Sequence, residues 1–392
     1  MARRELSLIT TFDELMENVR STHRVLMVYL EPAPYIIGLV EEVRTSWQQE
    51  VDVVFVAERL SQPWPKNLAN EKYTLLPSRI GNAIIRLYRL LASGRYSLLH
   101  VAGWGHPILL GAIFVAAWLK VPVVVETDTP LRDDISRWKL MAKKIFYPLL
   151  FRIPDMFLPA GSRQATYLRY YGVEDRRIEI AKMTVDVAKY FAYAKNFSAN
   201  AKADVVRHYN LPENNFKILY VGRLEEHYKA ISHLIEIYRS LRRETSSVSL
   251  LVIGTGSMAH KIIELRKDDH SVHFFGGMWG EKLLDMYCIS DALILPSSYE
   301  SWGLVINEAM AFGLPVIVSN KVGCLDDLVI DGKTGLVYPF GSNESAVVAI
   351  KKLMVNKELR ANIAAAAKQL IASWTLKDNA ENTIYAWQKT LT

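Results

Sequence analysis

The sequence predicts an α/β protein made of two doubly wound, parallel-sheet domains in tandem. Three observations carry that expectation. At 392 residues the chain exceeds what one core ordinarily fills, given roughly 150 residues per domain. Half of it is apolar and 22% is charged, which is a folded composition and not a disordered one. Short β-branched runs alternate with amphipathic stretches, the pattern of parallel strands buried on both faces beneath crossover helices.

Taken in order, MARRELSLITTFDELMENVR has basic residues with no apolar core behind them, so it does not read as a secretory signal. The runs RVLMVYL (24–30), VDVVFV (51–56), SLLHV (97–101), VPVVV (121–125) and DMFLP (155–159) are expected strands of a first domain, 1–195. Between them PILLGAIFVAAWL (107–119) is too short, against roughly 20 residues, to cross a bilayer. A linker region, 196–215, lacks a strand pattern and closes on Pro-Glu-Asn-Asn, a turn signal. FKILYV (216–221), VSLLVI (248–253), VHFF (272–275), ALILP (292–296), VIV (316–318) and GLVY (335–338) are the strands of a second domain, 216–355. Residues 356–392 read as two terminal helices, expected to pack back toward the N-terminal domain. Cys288 and Cys324 make neither a disulfide framework nor a cysteine metal site, which suits a reduced, cytoplasmic protein.

The formal charge of +6 lies wholly in the first half: residues 1–196 hold 26 Lys+Arg and 20 Asp+Glu, and residues 197–392 hold 21 of each. That half is therefore expected to face something anionic, such as lipid headgroups, nucleic acid or a phosphorylated substrate. Within it, RDDISRWKLMAKKIFYPLLFR (132–152) sets Ile135, Trp138, Ala142, Ile145 and Leu149 on one helical stripe, bordered by Arg137, Lys139, Lys143 and Lys144. Such a helix either lies on an anionic membrane or packs its stripe into the core. Nucleic acid explains the charge less well, because no recognised binding module accompanies it.

In open α/β sheets ligands sit beyond the carboxyl ends of the strands, so with two such domains the site is expected in the cleft between them. GTGSMA (254–259) follows a strand and resembles a dinucleotide fingerprint, but the next strand ends without the acidic ribose partner. A tight glycine turn suited to phosphate or a base edge remains. In VGRLEEHYKA (221–230), Arg223 and Lys229 leave a strand end on one short loop, where two cations can neutralise a diphosphate or can simply be solvated. In LILPSSYESWGLVINEAMAFGLPVIVS (293–319), Glu300 lies on a loop and Glu308 in the following helix. Both are expected to face the strand-end cleft, the alternative being a solvated loop residue and a helix-dipole partner.

The order GRL, a cation six residues after the Arg, IGTG, FFG, EAMAFGLPVIV and DGKTGLVY resembles the C-terminal domain of the retaining GT-B glycosyltransferases, family 4, glycosyl transferases group 1. The family's E-x7-E stands as Glu300 and Glu308. The likeness is close over 216–340 and only architectural over 24–190, where VDVAKYF (185–191) is similar to the family's approach to the linker. It implies two Rossmann-like domains facing across a cleft. It also implies that Arg223 and Lys229 clasp the donor diphosphate, that Glu308 accepts from the ribose hydroxyls, and that Glu300 holds the transferred sugar. Backbone amides of Ser301, Trp302, Gly303 and Leu304 would contact sugar and phosphate, with Gly222, Gly254, Gly256 and Gly276 shaping the turns near the base.

Some positions depart from that pattern. Ala230 follows Lys229 where glycine is usual, Cys324 replaces a second glycine, and Asp326 and Asp327 stand where a Glu is expected. Ala102 occupies the place of an N-terminal-domain histidine, leaving His106 or Asp128 as acceptor-side candidates, and His100 reads as a buried strand-end residue. The opening loop has only Gly38 where several glycines are common.

The resemblance implies an enzyme that moves a sugar from a UDP- or GDP-sugar to a hydroxyl on a glycan or lipid-linked acceptor, with retention, in surface polysaccharide or glycolipid synthesis. No cofactor and no metal are expected, there being no Asp-x-Asp motif, and no nucleic-acid partner. The location would be cytoplasmic, with peripheral contact to the inner membrane face if the basic helix binds lipid. A nucleotide-sugar epimerase of the same fold, or a non-catalytic sugar-nucleotide binder, are the alternatives.

Overall fold

The computed structural model describes residues 23–57, 73–132 and 134–392. The N-terminal signal reading, and Asp133 within the basic segment, lie outside the described residues.

Six strands, β1 (Val25–Tyr29), β2 (Val51–Phe55), β3 (Tyr73–Leu75), β4 (Leu98–Val101), β5 (Val123–Thr127) and β6 (Met156–Pro159), form one sheet in the order β3-β2-β1-β4-β5-β6. Six more, β7 (Phe216–Val221), β8 (Val248–Ile253), β9 (Val272–Phe274), β10 (Ala292–Leu295), β11 (Val316–Ser319) and β12 (Leu336–Tyr338), form a second in the order β12-β11-β10-β7-β8-β9. Pairing is parallel from β1 to β2 and β4, and from β7 to β8 and β10. Both are doubly wound sheets in which the order reverses beside the first strand, at β1/β4 and at β7/β10. Every residue of β1, β4, β8 and β10 is buried, as continuous apolar runs with helices on both faces require. Each fully buried Leu, Ile or Val contributes about 1.5–3 kcal/mol.

The helices that follow strands β1 to β6 along the chain are α1 (Pro34–Ser46), α2 (Ile80–Ala92), α3 (Pro107–Trp118), α4 (Arg137–Leu150) and α5 (Ser162–Tyr170). α6 (Val187–Asn196) leads into the linker region, 196–215, which itself forms α7 (Ala199–His208). Around the second sheet run α8 (Ile231–Glu244), α9 (Ala259–Asp268), α10 (Glu281–Ile289), α11 (Leu304–Ala311), α12 (Leu325–Leu328) and α13 (Asn343–Val355). Two helices, α14 (Lys357–Ile371) and α15 (Leu376–Leu391), end the chain.

The chain packs as two compact units. One holds the described residues as far as Glu126 together with Leu149–Phe157 and Thr383–Thr392; the other holds Thr127–Pro148 and Leu158–Asn382. In the first, the end of α15 closes the core: Trp387 is fully buried, edge-on to Trp47 and His100, and its Nε1 donates to His100 Nδ1 at 3.1 Å. In the second, Trp302 is buried against Trp374 with ring centroids 5.8 Å apart, and its Nε1 donates to Asn307 at 3.0 Å.

Candidate functional site

The second unit gathers its chemistry at the carboxyl end of β7 and β10, where the strand order reverses. A backbone frame is laid down there first. The amide of Gly222 donates to Ile253 O at 3.0 Å, that of Leu224 to Thr255 O at 2.8 Å, and that of Gly254 to Gly276 O at 2.7 Å. A Cβ on Gly254 would lie 1.8 Å from Gly222 O, and one on Gly256 2.2 Å from Leu224 O. Main chain thus packs directly on main chain, and any side chain at either position would push the loop after β7 away.

Lys229 and Glu300 meet on this frame as an ion pair, their side chains 18% and 13% exposed. Ser297 Oγ lies 3.4 Å from the same Glu300 oxygen, and the Glu300 amide donates to Lys321 O at 3.2 Å. Arg223 turns to Glu225 at 2.9 Å and is half exposed, so the two cations of the loop hold different carboxylates. Ala230 adopts a left-handed conformation, φ 51°, which is why glycine suits the position after the lysine. Gly303, φ 103°, caps α11, and a Cβ there would lie 3.2 Å from Ile306 and 3.4 Å from Glu300 and Val322. The Trp302 side chain points into the core, leaving only its backbone to offer a ligand; its carbonyl accepts from Cys324 N at 3.1 Å and that of Ser301 from Gln164 at 2.6 Å. Leu304 begins α11.

Glu308, one turn further along α11, takes the hydroxyl of Tyr287, and Tyr190 adds a second. Tyr287 stacks on Phe312 with centroids 5.2 Å apart. Burial raises the Glu308 carboxyl to about 7, against the downward pull of the two tyrosine hydroxyls. The sequence patterns did not single out Tyr190 or Tyr287. Nor did they mark Tyr228 and Tyr299, although each stands immediately before one of the paired charges, Lys229 and Glu300. Asp128 is exposed and close enough to Tyr299 to help raise its hydroxyl, after burial.

The family-pattern departures near the site have local uses. Asp327 accepts from Ser162 N at 2.8 Å and Ser162 Oγ at 2.6 Å, holding the start of α5, and burial raises its carboxyl. Asp326 pairs with Arg163 at 3.0 Å.

In the first unit, His106 caps α3, its Nδ1 accepting from Ile108 N at 3.2 Å. His100 is fully buried. Because Nδ1 accepts from Trp387, its proton sits on Nε2, 3.3 Å from Glu126, which also takes the Tyr29 hydroxyl at 3.0 Å. The basic helix α4 has no buried residue, and Trp138, Met141, Ile145, Phe146 and Leu149 are exposed on it. Its stripe therefore does not enter the core. No helix among the described residues is long and apolar enough to cross a membrane.

The family model for glycosyl transferases group 1 matches residues 202–370. Sulfoquinovosyl transferase SQD2 of Arabidopsis thaliana is 24% identical over 294 residues, covering 72% of this chain and 55% of that protein. A GDP-mannose-dependent alpha-mannosyltransferase of Mycobacterium tuberculosis is 26% identical over 311 residues, 77% of this chain and 75% of that one. The chain thus spans about half the length of some curated relatives it matches. Anabaena HepE in complex with UDP superposes with a TM-score of 0.75 at 15% identity, over 93% of this chain and 98% of that one. The protein has the GT-B fold, and its second sheet, 216–338, lies within the residues that the group 1 glycosyltransferase model matches.

Proposed function

We propose that the protein transfers a sugar from a nucleoside-diphosphate donor to a hydroxyl acceptor with retention of configuration. The observation that carries the reading is the largely buried Lys229–Glu300 pair at the β7/β10 reversal, on a glycine-lined backbone frame, with Glu308 one turn into α11. Breaking a sugar–phosphate bond builds positive charge on the sugar and negative charge on the diphosphate. A lysine held at the strand end and already partly desolvated can stabilise that leaving group once it leaves its carboxylate, with Arg223 beside it on the loop. Donor binding would move Lys229 from Glu300 toward phosphate and free the Glu300 carboxylate for sugar hydroxyls. The leaving phosphate can take the acceptor proton on the same face. Glu300 and Glu308 accordingly bind and orient, and are not the flanking acid and base of a glycosidase.

On this reading the backbone of Ser301 to Leu304 meets sugar and phosphate, Gly222, Gly254, Gly256 and Gly276 border the base, and His106 and Asp128 are the acceptor-side candidates. No metal is required. The exposed apolar stripe of α4 favours a lipid-linked acceptor at an anionic membrane face over a free metabolite, and a peripheral cytoplasmic location. UDP, present in the HepE structure, is the first donor base to try.

Incubation with UDP-, GDP- and ADP-sugars tests the reading. Release of nucleoside diphosphate, with the transferred sugar in the donor's anomeric configuration by NMR, is the expected result. Interconversion of the donor sugar at C2 without transfer would assign an epimerase, and binding with no turnover a silent sugar-nucleotide receptor.

A further inference from the structure

Arg132 lies outside every sequence motif of the site, yet its guanidinium is built into it. Its central carbon is 4.4 Å from the centroid of the Tyr299 ring and 5.3 Å from that of Tyr228, and Nη1 is 3.5 Å from the Tyr228 hydroxyl. Asp134 takes Nε and Nη2 at 2.8 and 2.6 Å, which fixes the plane of the fork. The two rings it contacts are 5.4 Å apart. Tyr228 is the residue before Lys229, and Tyr299 the residue before Glu300. The loops that carry them are joined at the same place: Ser298 N donates to Tyr228 O at 2.8 Å, and Ser298 Oγ to His227 O at 2.7 Å. Arg132, the two tyrosines and the ion pair all belong to the second unit.

We infer that Arg132 is the positioning residue of the Lys229–Glu300 pair, setting the approach of the two charges by clasping the tyrosine that precedes each of them. A planar guanidinium can lie against two rings while a carboxylate holds its edge; an ammonium is a compact point charge and cannot do all three. Arg132 need not touch substrate for this. It holds the main chain on either side of the ion pair, so its loss lets both side chains drift. Displacements near 1 Å at a reacting centre cost roughly 10²-fold in rate. The positional part of the inference rests on geometry alone, and its kinetic part rests on the transferase reading.

The experiment reads both parts separately in Arg132→Met, Arg132→Lys, Tyr299→Leu and the Arg132→Met/Tyr299→Leu pair. Acylation of Lys229 by a soluble amine-reactive ester is followed by mass spectrometry, with the exposed Lys333 as internal reference. Removing Arg132 or the Tyr299 ring should raise Lys229 labelling several-fold, the double variant should add nothing further, and Arg132→Lys should fall between. In turnover, kcat should drop roughly ten- to hundredfold while the affinity for free nucleoside diphosphate stays within about twofold. Unchanged labelling and kcat in Arg132→Met, with only a lower Tm, would overturn the inference by making Arg132 a loop anchor. A loss of nucleotide affinity with unchanged labelling would overturn it by making Arg132 a substrate contact. If the unmutated protein turns over no sugar nucleotide, the transferase reading fails, and the labelling arm still decides the positional one.

Discussion

Glu308 shows most directly how burial sets the chemistry of a residue. Its carboxyl is raised to about 7 by desolvation, so near neutrality a fraction of the protein carries it protonated. A ribose hydroxyl donates best to the carboxylate. Affinity for a nucleoside diphosphate should therefore rise with pH up to about 7 and level off above, and Glu308→Gln should bind more weakly with that slope removed. Calorimetric titration from pH 5.5 to 8.5 measures both. Stability has the opposite sign: the folded protein keeps a proton that the unfolded chain loses near 4.5, so this contribution is fully present below 4.5 and is lost as pH rises through about 7. Lys229 offers a second test. Lys229→Ala should lower kcat by roughly two to three orders of magnitude, the scale of losing one preorganised electrostatic stabiliser. A chelator should leave the unmutated enzyme unaffected; activity abolished by chelation and restored by a divalent cation would remove the case for cations acting alone. Lys229, Glu300 and Glu308 stand out in the sequence because they lie just beyond strand ends in a block that resembles the group 1 family, the residues alone leaving their roles open. Arg132 does not, since its partners Tyr228 and Tyr299 lie on loops far along the chain, and the pattern that begins at Arg132 is that of a basic amphipathic helix, which says nothing of either tyrosine.

At the scale of single elements, strands with an apolar run were easy to read and the exposed edge strand was not. β3 (Tyr73–Leu75) escaped because it is a three-residue edge strand with Thr74 and Leu75 exposed, so it needs no apolar run. β5 was expected over 121–125 and spans Val123–Thr127, the start falling just after Pro122, which has no amide to donate. For α4 the sequence left two alternatives, and exposure decides one of them: Trp138, Met141, Ile145, Phe146 and Leu149 do not enter the core. Lys143 and Lys144 lie over the rings of Tyr147 and Tyr170, which keeps their charges on the helix surface. Binding to anionic vesicles should follow. Each Lys near such a surface contributes about 1 kcal/mol, fading within a Debye length, so replacing Lys139, Lys143 and Lys144 with Gln should release the protein at low salt. Trp138→Ser with Ile145→Ser should weaken what remains at high salt, where insertion of apolar side chains carries the binding. Nucleoside-diphosphate affinity should not move in either variant. Cosedimentation checks all three expectations, and a protein that ignores anionic vesicles at low salt would leave the exposed stripe without a lipid role.

At the scale of the whole molecule, sequence runs and packing units do not coincide, because distant pieces of chain complete each core. The strand runs alone divide the sequence near 195. In the folded protein, the first unit is completed by Thr383–Thr392, and Trp387 is its most distant large core residue. No periodicity could announce that contact; it depends on where α14 and α15 carry the chain after the second sheet ends. It also explains why Nδ1 of the strand-end His100 is taken up by an indole N–H. Trp387→Ala should therefore lower the stability of the first unit by about 3–5 kcal/mol, the usual cost of emptying a buried aromatic site. Trp387→Phe, which keeps most of the ring and loses the donor to His100, should cost nearer 1–2 kcal/mol. Differential scanning calorimetry should show the Ala variant's first transition shifted downward. Saturating nucleoside diphosphate should still raise the second transition, because every residue assigned to the donor lies in the other unit. Loss of that ligand-induced shift in Trp387→Ala would mean that donor binding requires an intact first unit, and the assignment of the donor to the second unit alone would have to be given up.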